Sequence, residues 1–500
     1  MQKRYEQYRE ILKKSELLEY PVKKICEEYQ MRAEERHNIE EQTSFFVLAP
    51  ALNGFVVWVL QNALKKGVQR LYFLARDGYF MYRIACRYCE EFNLPLECMY
   101  LCCSRYSLRI PAYHTDMKEA LSYICRGGID VTLQKILDRS GITWEEQKEV
   151  LKQLQEQVNE QSGKELREQK SDCFKDLSEY MENPEKVIPY AKLEVVRELL
   201  EKCTYFLNCV EKHSREAMPE LRGYLKSVGL LEDTKAVLVD SGWVGSMQKV
   251  LNQTLRQMGR KDELEGYYWG IYELPEAADP MKYHCYYFSP RKELRAKVYF
   301  SNCLFESIFS APHGMTLGYR KREEHFEPYF SECSRSRRIF MEETERHLLR
   351  YTDMLLGEKK RQMKHLQQKN KKKQRTEMTT SEFMDLNWKK ARKVTKKLLY
   401  LFMGKPTHAE AASYGALRFS DDVLDTDTKR TAEQMTEKEL CENHVWNKIL
   451  VMFGIRKTYI KESAWYEGSA RLFGENVRRH WRQYAIYKYL LYIRQGFLKG

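Results

Sequence analysis

Two stretches of this chain share one design. RLYFLARDGYFMYRIA (Arg70–Ala85) and KAVLVDSGWVGSMQKVL (Lys235–Leu251) each pass from an uncharged apolar run through a glycine-containing polar loop into residues of helical spacing. The runs Leu71–Ala75 and Ala236–Val239 are short and partly β-branched or aromatic, the pattern of a strand buried on both faces of a parallel sheet. Beyond the second loop, Val244, Met247, Val250, Leu251, Leu255 and Met258 recur three and four positions apart, which predicts a helix. A loop that leaves the carboxyl end of a buried strand and enters a helix offers free backbone N–H groups and the positive end of the helix dipole. Open α/β sheets hold phosphate-bearing ligands at such places. The pair therefore points to an α/β enzyme with an anionic, phosphorylated substrate.

Further strand signals at Cys98–Cys102, Tyr267–Tyr272 and His284–Phe288 extend the sheet, while residues 115–230 are helical in pattern. The expected fold class is α/β: a mostly parallel, Rossmann-like sheet with a large helical insertion and a helical, basic C-terminal region. The expected divisions are a helical segment over 1–42, an α/β catalytic domain over 43–330 with the insertion at about 115–230, and the basic helical region over 331–500.

The stretch Gln42–Leu64 carries no Asp, Glu, Lys or Arg and approaches the length of a bilayer span. Pro50, Asn53 and Gly54 interrupt it and a strand follows within a few residues, so a helix buried against the sheet is expected instead. The charged start MQKRYEQYREILKK has no apolar signal region, and no His-rich pattern accompanies the cysteines. A reduced, cytoplasmic setting without a zinc site is the expectation. Much of the net charge of +13 lies in Lys359–Lys397, which reads first as a solvated face. The tail NVRRHWRQYAIYKYLLYIRQGFLKG interleaves cations with aromatic and aliphatic residues. It predicts either a last helix docked on the core or peripheral contact with the inner membrane face. No nucleic-acid signature accompanies the charge, so nucleic acid is not an expected partner.

The loops carry the chemistry. In ARDGY, Arg76 suits phosphate or carboxylate oxygens, Asp77 suits Mg²⁺ or a hydroxyl, and Gly78 allows close backbone approach or a positive φ. In the loop Asp240–Gln248, Asp240 ends the strand and can accept hydrogen bonds from sugar hydroxyls. Ser241, Gly242, Gly245 and Ser246 are small donors suited to a monophosphate, Trp243 could stack on a sugar or close the pocket, and Gln248 completes the binding set. Ser104 and Arg105 follow the second strand on the same edge. Glu306, His313 and Glu467 are candidates to deprotonate an acceptor hydroxyl, and the residues alone do not choose among them.

AVLVDSGWVGSMQ resembles the later signature of type I phosphoribosyltransferases, with one acid in place of an adjacent pair and Gly-Trp-Val-Gly-Ser in place of a Thr-Gly-Gly-Thr-like run. A closer resemblance rests on Pro50 and Gly54, FLARDGY, YLCCSR, VDSGWVGSMQ, FESIFSAPHG, the PTHAEAASYG-then-FSDD stretch and SAWYEGS. Over about residues 45–470 the chain resembles the domain of bacterial polysaccharide clusters often fused behind a haloacid-dehalogenase-type (HAD) phosphatase. That family is implicated in transferring 5-phosphoribosyl from phosphoribosyl diphosphate (PRPP) to a glycan. The resemblance implies a phosphoribosyltransferase-like sheet, Mg²⁺ bound with PRPP, a glycan or lipid-linked oligosaccharide acceptor, and a separate phosphatase acting in trans. Rival readings are a nucleotide-sugar glycosyltransferase, a HAD-type sugar phosphatase, and a non-catalytic glycan- or membrane-binding scaffold. For the phosphatase, the one tempting acid pair is Asp425 and Asp427, but the preceding RFSDDVL is too polar for a buried strand.

Overall fold

In the computed structural model, residues 2–31, 38–127, 131–165, 172–369, 378–420, 428–456, 460–474 and 476–498 are described. Asp425 and Asp427 lie outside them.

Five strands form one sheet: β1 (Arg70–Leu74), β2 (Glu97–Leu101), β3 (Ala236–Trp243), β4 (Glu265–Ile271) and β5 (Tyr283–Phe288). Their order is β2-β1-β3-β4-β5 and every pairing is parallel. Chain order reverses between β1 and β3, so the two strand–loop–helix segments stand side by side. Their loops open into the crevice that such a switch point creates at the carboxyl edge.

The β3 strand outruns its expected end. Asp240 pairs with Tyr268, Gly242 with Gly270 and Trp243 with Ile271. Ser241–Trp243 thus belong to the sheet, because the long parallel neighbour β4 extends the pairing past the apolar run. The helix Ser246–Gln257 then begins at Gly245.

The helix Ala49–Lys65 is the keystone of one sheet face. Ile39–Lys65 is long and apolar enough to cross a membrane, yet its most apolar window is entirely buried within the protein. Phe55 meets Trp269 of β4 and Tyr286 of β5, with ring centroids 5.5 and 5.6 Å apart. Its polar residues are satisfied internally: Asn53 Nδ2 donates to the Ala49 carbonyl, and Gln61 Nε2 donates to the carbonyls of Phe383 and Leu386. Such partners remove the cost of burying amides. As expected, it is a core helix.

Between β2 and β3 lie the helices of the insertion, with their own apolar cluster around Leu133, Ile136, Leu154, Val196 and Phe206. The first two helices, Gln2–Leu12 and Glu16–Met31, and the C-terminal helices share the main core with the sheet: Tyr8, Leu18, Leu348, Leu398 and Trp465 all belong to it. The expected divisions at 42 and 330 therefore mark no break in the core. In the basic run, the helix Trp388–Phe402 buries Ala391, Val394, Leu398 and Leu399 and leaves Lys389, Lys390, Lys393 and Lys397 exposed, a solvated face. The hairpin β6 (Thr316–Arg322) and β7 (His325–Phe330) was not expected. Its charged, half-exposed residues carry no strand pattern, and it is held by Tyr319, which stacks on Tyr224 with centroids 4.4 Å apart and donates to the Cys102 carbonyl.

Candidate functional site

At the carboxyl ends of β1, β2 and β3 lies a cavity of about 300 Å³. It is walled by Arg76 and Asp77 after β1, Ser104–Tyr106 after β2, and Asp240–Val244, Ser246 and Met247 of the third strand and its helix. Glu306, Ser307, Ser310, Met315, Thr316, Arg337, Arg418 and Phe419 complete the wall. Three carboxyl groups and four guanidinium groups thus meet in one small space.

The β3 turn is sterically constrained at both of its glycines. Gly242 has φ +109°, and a Cβ there would lie 2.5 Å from the Gly270 carbonyl oxygen. Gly245 has φ +67°, with Tyr283 2.7 Å from an added Cβ. Trp243, between them, has φ +63° despite its side chain, a conformation costing about 1–3 kcal/mol that persists only when the surroundings dictate it. The helix Ser246–Gln257 opens directly onto the cavity through Ser246 and Met247, whose N–H groups lie in the first turn, where no intrahelical acceptor is available.

The acids are coupled through one another. Ser241 Oγ donates to Asp77 Oδ2, tying the two loops together. Burial pushes the Asp240 carboxyl up to about 7 and the charge of Asp77 adds to the rise, while N–H groups of Ser241 and Gly242 and the Arg105 guanidinium oppose it. Glu306, on the short helix Asn302–Ile308, is raised to about 8 by burial and then by Asp77. Trp243 Nε1 donates to Glu306 Oε1 at 2.5 Å and works against that rise. The nearby arginines only partly offset burial and the charge of Asp77, so Asp240 and Glu306 both resist ionisation.

That resistance bears on the expected Mg²⁺. Asp77 and Asp240 offer hard oxygen donors at neighbouring strand ends, and a divalent cation between them would relieve the repulsion that raises Asp240 and Glu306. The donor set fits the ion.

Several expected site residues have other duties. Gly78 has an ordinary φ of −74°, and its N–H donates to the Leu74 carbonyl at 2.8 Å. It is needed because a Cβ would sit 2.6 Å from that oxygen. Ser104 lines the cavity, but its Oγ donates to the Thr316 carbonyl and caps the helix Arg105–Arg109 by accepting from the Ser107 N–H. Trp243 packs its indole among Phe288, Phe300 and Phe305 and orients Glu306 through its N–H, so it is no sugar platform. Gly245 shapes the turn without lining the cavity. Gln248 is buried beneath the helix, donating to the Leu264 carbonyl and accepting from Tyr268 Oη, because its position faces the sheet.

Of the candidate bases, Glu306 alone lines the cavity. His313 Nδ1 lies 2.8 Å from the Gly314 carbonyl and must donate to it, so Nε2 accepts from Tyr100 Oη at 2.9 Å. Burial lowers its proton affinity further. Glu467 is buried against Lys488, 3.7 Å away, on the helix Tyr466–Phe473. Sequence reasoning missed Ser310, Arg337 and Arg418 as site residues. Ser310 lies within FESIFSAPHG and Arg418 directly precedes FSDD, both stretches already singled out, whereas Arg337 sits in an SRSRR run that looks like any solvated basic turn. Arg337 donates to Ser310 Oγ at 3.1 Å at the start of the long helix Arg335–Lys369.

The fold and site together define an α/β protein with a polar, arginine-rich cavity at the switch point of a parallel sheet. Neither a scan against protein-family models nor a search of curated proteins finds a match to the chain.

Proposed function

We propose that this protein transfers 5-phosphoribosyl from Mg²⁺·PRPP to a hydroxyl of a glycan acceptor, on a phosphoribosyltransferase-like sheet. The observation that carries the reading is the convergence of the β1 and β3 loops, with Asp77, Asp240 and Glu306 among four arginines, on one cavity at the switch point.

The 5-phosphate is held by the turn Ser241–Ser246 and the first N–H groups of its helix. Asp240 accepts from the ribose hydroxyls. Arg76 and Arg105 neutralise the diphosphate, and Arg337 and Arg418 extend the positive wall. Bound Mg²⁺, held by Asp77 and Asp240, supplies charge neutralisation for the leaving diphosphate. As the C1–O bond to diphosphate breaks, C1 gains oxocarbenium character, and the arginines favour the separating charge more than the bound substrate. Glu306, ionised, takes the proton of the acceptor hydroxyl as its oxygen bonds to C1. Trp243 keeps that carboxyl aimed.

The acceptor is a glycan or lipid-linked oligosaccharide, and a separate phosphatase removes the 5-phosphate from the product. Peripheral attachment to the inner membrane face is supported by the C-terminal helices. Nine of the seventeen large exposed apolar side chains among the described residues lie from Trp446 to Ile493, including Phe453 and Ile455. Exposed Arg478, Arg479 and Arg482 lie in the same stretch, a pairing that suits an anionic bilayer surface.

Thermal shift against a donor panel tests the reading. Mg²⁺ with PRPP should raise the melting midpoint, whereas nucleotide sugars should not. Stabilisation by a nucleotide sugar alone would replace this donor with that one.

A further inference from the structure

A second group of ligating side chains lies in the C-terminal helices and takes no part in the reaction proposed above. Cys441 belongs to the short helix Glu437–Glu442, His444 precedes the helix Val445–Met452, and His480 lies in the first turn of the helix Arg478–Leu498. One ligand atom from each falls within 4.8 Å of the other two. His444 Nε2 and His480 Nδ1 face one another at 3.0 Å, with ring planes tilted by 50°. Two imidazolium rings would repel at that distance, so a shared cation or a single shared proton must lie between them.

Local structure explains the convergence. The Cys441 carbonyl accepts from the His444 N–H and from Asn447 Nδ2, each at 3.0 Å, so the turn brings Cys441 and His444 to one side. Asn443 braces that turn by donating to the Glu439 and Lys461 carbonyls. His480 is buried, with the Phe473 ring set edge-on to it. For a tetrahedral ion with metal–nitrogen bonds of about 2.0–2.1 Å, ligand nitrogens stand roughly 3.3 Å apart, close to the spacing seen here.

The surroundings give a reason for a metal at this place. The apolar cluster here is small, made of Met435, Leu440, Tyr466, Ala470, Val477 and Trp481. Further along, the C-terminal helix is held by Tyr492, stacked on Tyr272, and by Lys488 beside Glu467, so a metal here would fix its N-terminal end.

We propose that Cys441, His444 and His480 bind one Zn²⁺ ion that fastens the C-terminal helix to the helical turn before it. On binding, the Cys441 thiol releases its proton to solvent and its sulfur bonds to the metal. His444 donates its Nε2 lone pair and His480 its Nδ1 lone pair, both rings being neutral. Water takes the fourth position. Thiolate and imidazole donors select zinc over the Mg²⁺ of the cavity. The cysteine and histidine spacing alone did not predict this site, because His480 arrives from a distant helix.

The test uses the full chain, reduced and without a polyhistidine tag. The purified protein should carry about one zinc per chain. After chelation, Co²⁺ should produce tetrahedral d–d absorption and a thiolate-to-cobalt charge-transfer band, both bleached by Zn²⁺. Cys441→Ser should lose the charge-transfer band and Cys333→Ser should keep it. A measurement on the unmutated chain guards against misfolding of the variant. Zn²⁺ should slow alkylation of Cys441 at least about tenfold, reversibly with chelator, and leave Cys333 unaffected. Absence of retained metal, a charge-transfer band that survives Cys441→Ser, or unprotected Cys441 would each overturn the proposal and leave a His444–His480 hydrogen bond in its place.

Discussion

Asp240 is the residue on which fold and chemistry make opposite demands. Its carboxyl is raised to about 7 by burial and by Asp77, so ionisation is disfavoured in the folded chain. For an acid raised on folding, stability is full below the unfolded pKa and declines as pH climbs through the folded value. Asp240→Asn removes that penalty. The variant should therefore match the parent near pH 4 and gain on it by pH 8 by about 1–3 kcal/mol, read as a rising difference in melting midpoint. A constant difference across that range would contradict the raised carboxyl. Turnover should nevertheless be nearly abolished, because an amide has no negative charge to hold the metal and only one acceptor oxygen for the ribose hydroxyls. Glu306 gives a second residue-scale expectation. With its carboxyl raised to about 8, kcat/KM should climb with pH and level off near that value. Glu306→Gln should cost about 10²–10⁴ in rate and flatten the climb. A variant that retains the full pH profile would remove Glu306 from the role of base.

At the scale of elements, the turn between β3 and its helix carries the most constraint per residue. Gly242→Ala should destabilise the protein by about 2–4 kcal/mol, since the new methyl must share space with the Gly270 carbonyl at an unfavourable φ. Denaturant unfolding compared with Gly259→Ala, where φ is +99° but nothing lies within 4 Å, separates the clash from the backbone cost. Equal losses at both positions would show that close packing at the turn is immaterial. These elements also show how far sequence carries. The five strands were readable because each contains an apolar run, largely buried in the central β1, β3 and β4 and partly so at the edges. The end of β3 was not, since a parallel neighbour extended the pairing into polar residues. The hairpin β6–β7 escaped notice because half-exposed strands rich in Arg, Lys and Glu lack the pattern that burial imposes.

For the whole molecule, the site is assembled from regions far apart in sequence. Arg76, Asp77 and Asp240 could be found from their loops, but Arg337 and Arg418 reach the cavity only through packing of the C-terminal helices on the common core. Local pattern carries no trace of such an approach. It also misassigned Gln248, whose helical position decides which way the amide faces. The same C-terminal part carries the exposed apolar side chains proposed to meet a bilayer. The protein should sediment with vesicles containing anionic lipid and much less with neutral ones, and Phe453→Glu with Ile455→Glu should weaken that binding severalfold. Equal recovery of parent and variant would place the contact elsewhere.

Isothermal titration of the purified chain with PRPP, in the presence and absence of Mg²⁺ and in two buffers of different ionisation enthalpy, bears most directly on the donor assignment. Saturable, metal-dependent binding with net proton release near pH 7 is the expected result, because the cation lowers the raised carboxyls of Asp240 and Glu306 as it neutralises their cluster. No heat beyond dilution, or binding indifferent to both metal and buffer, would contradict a phosphoribosyl donor in this cavity.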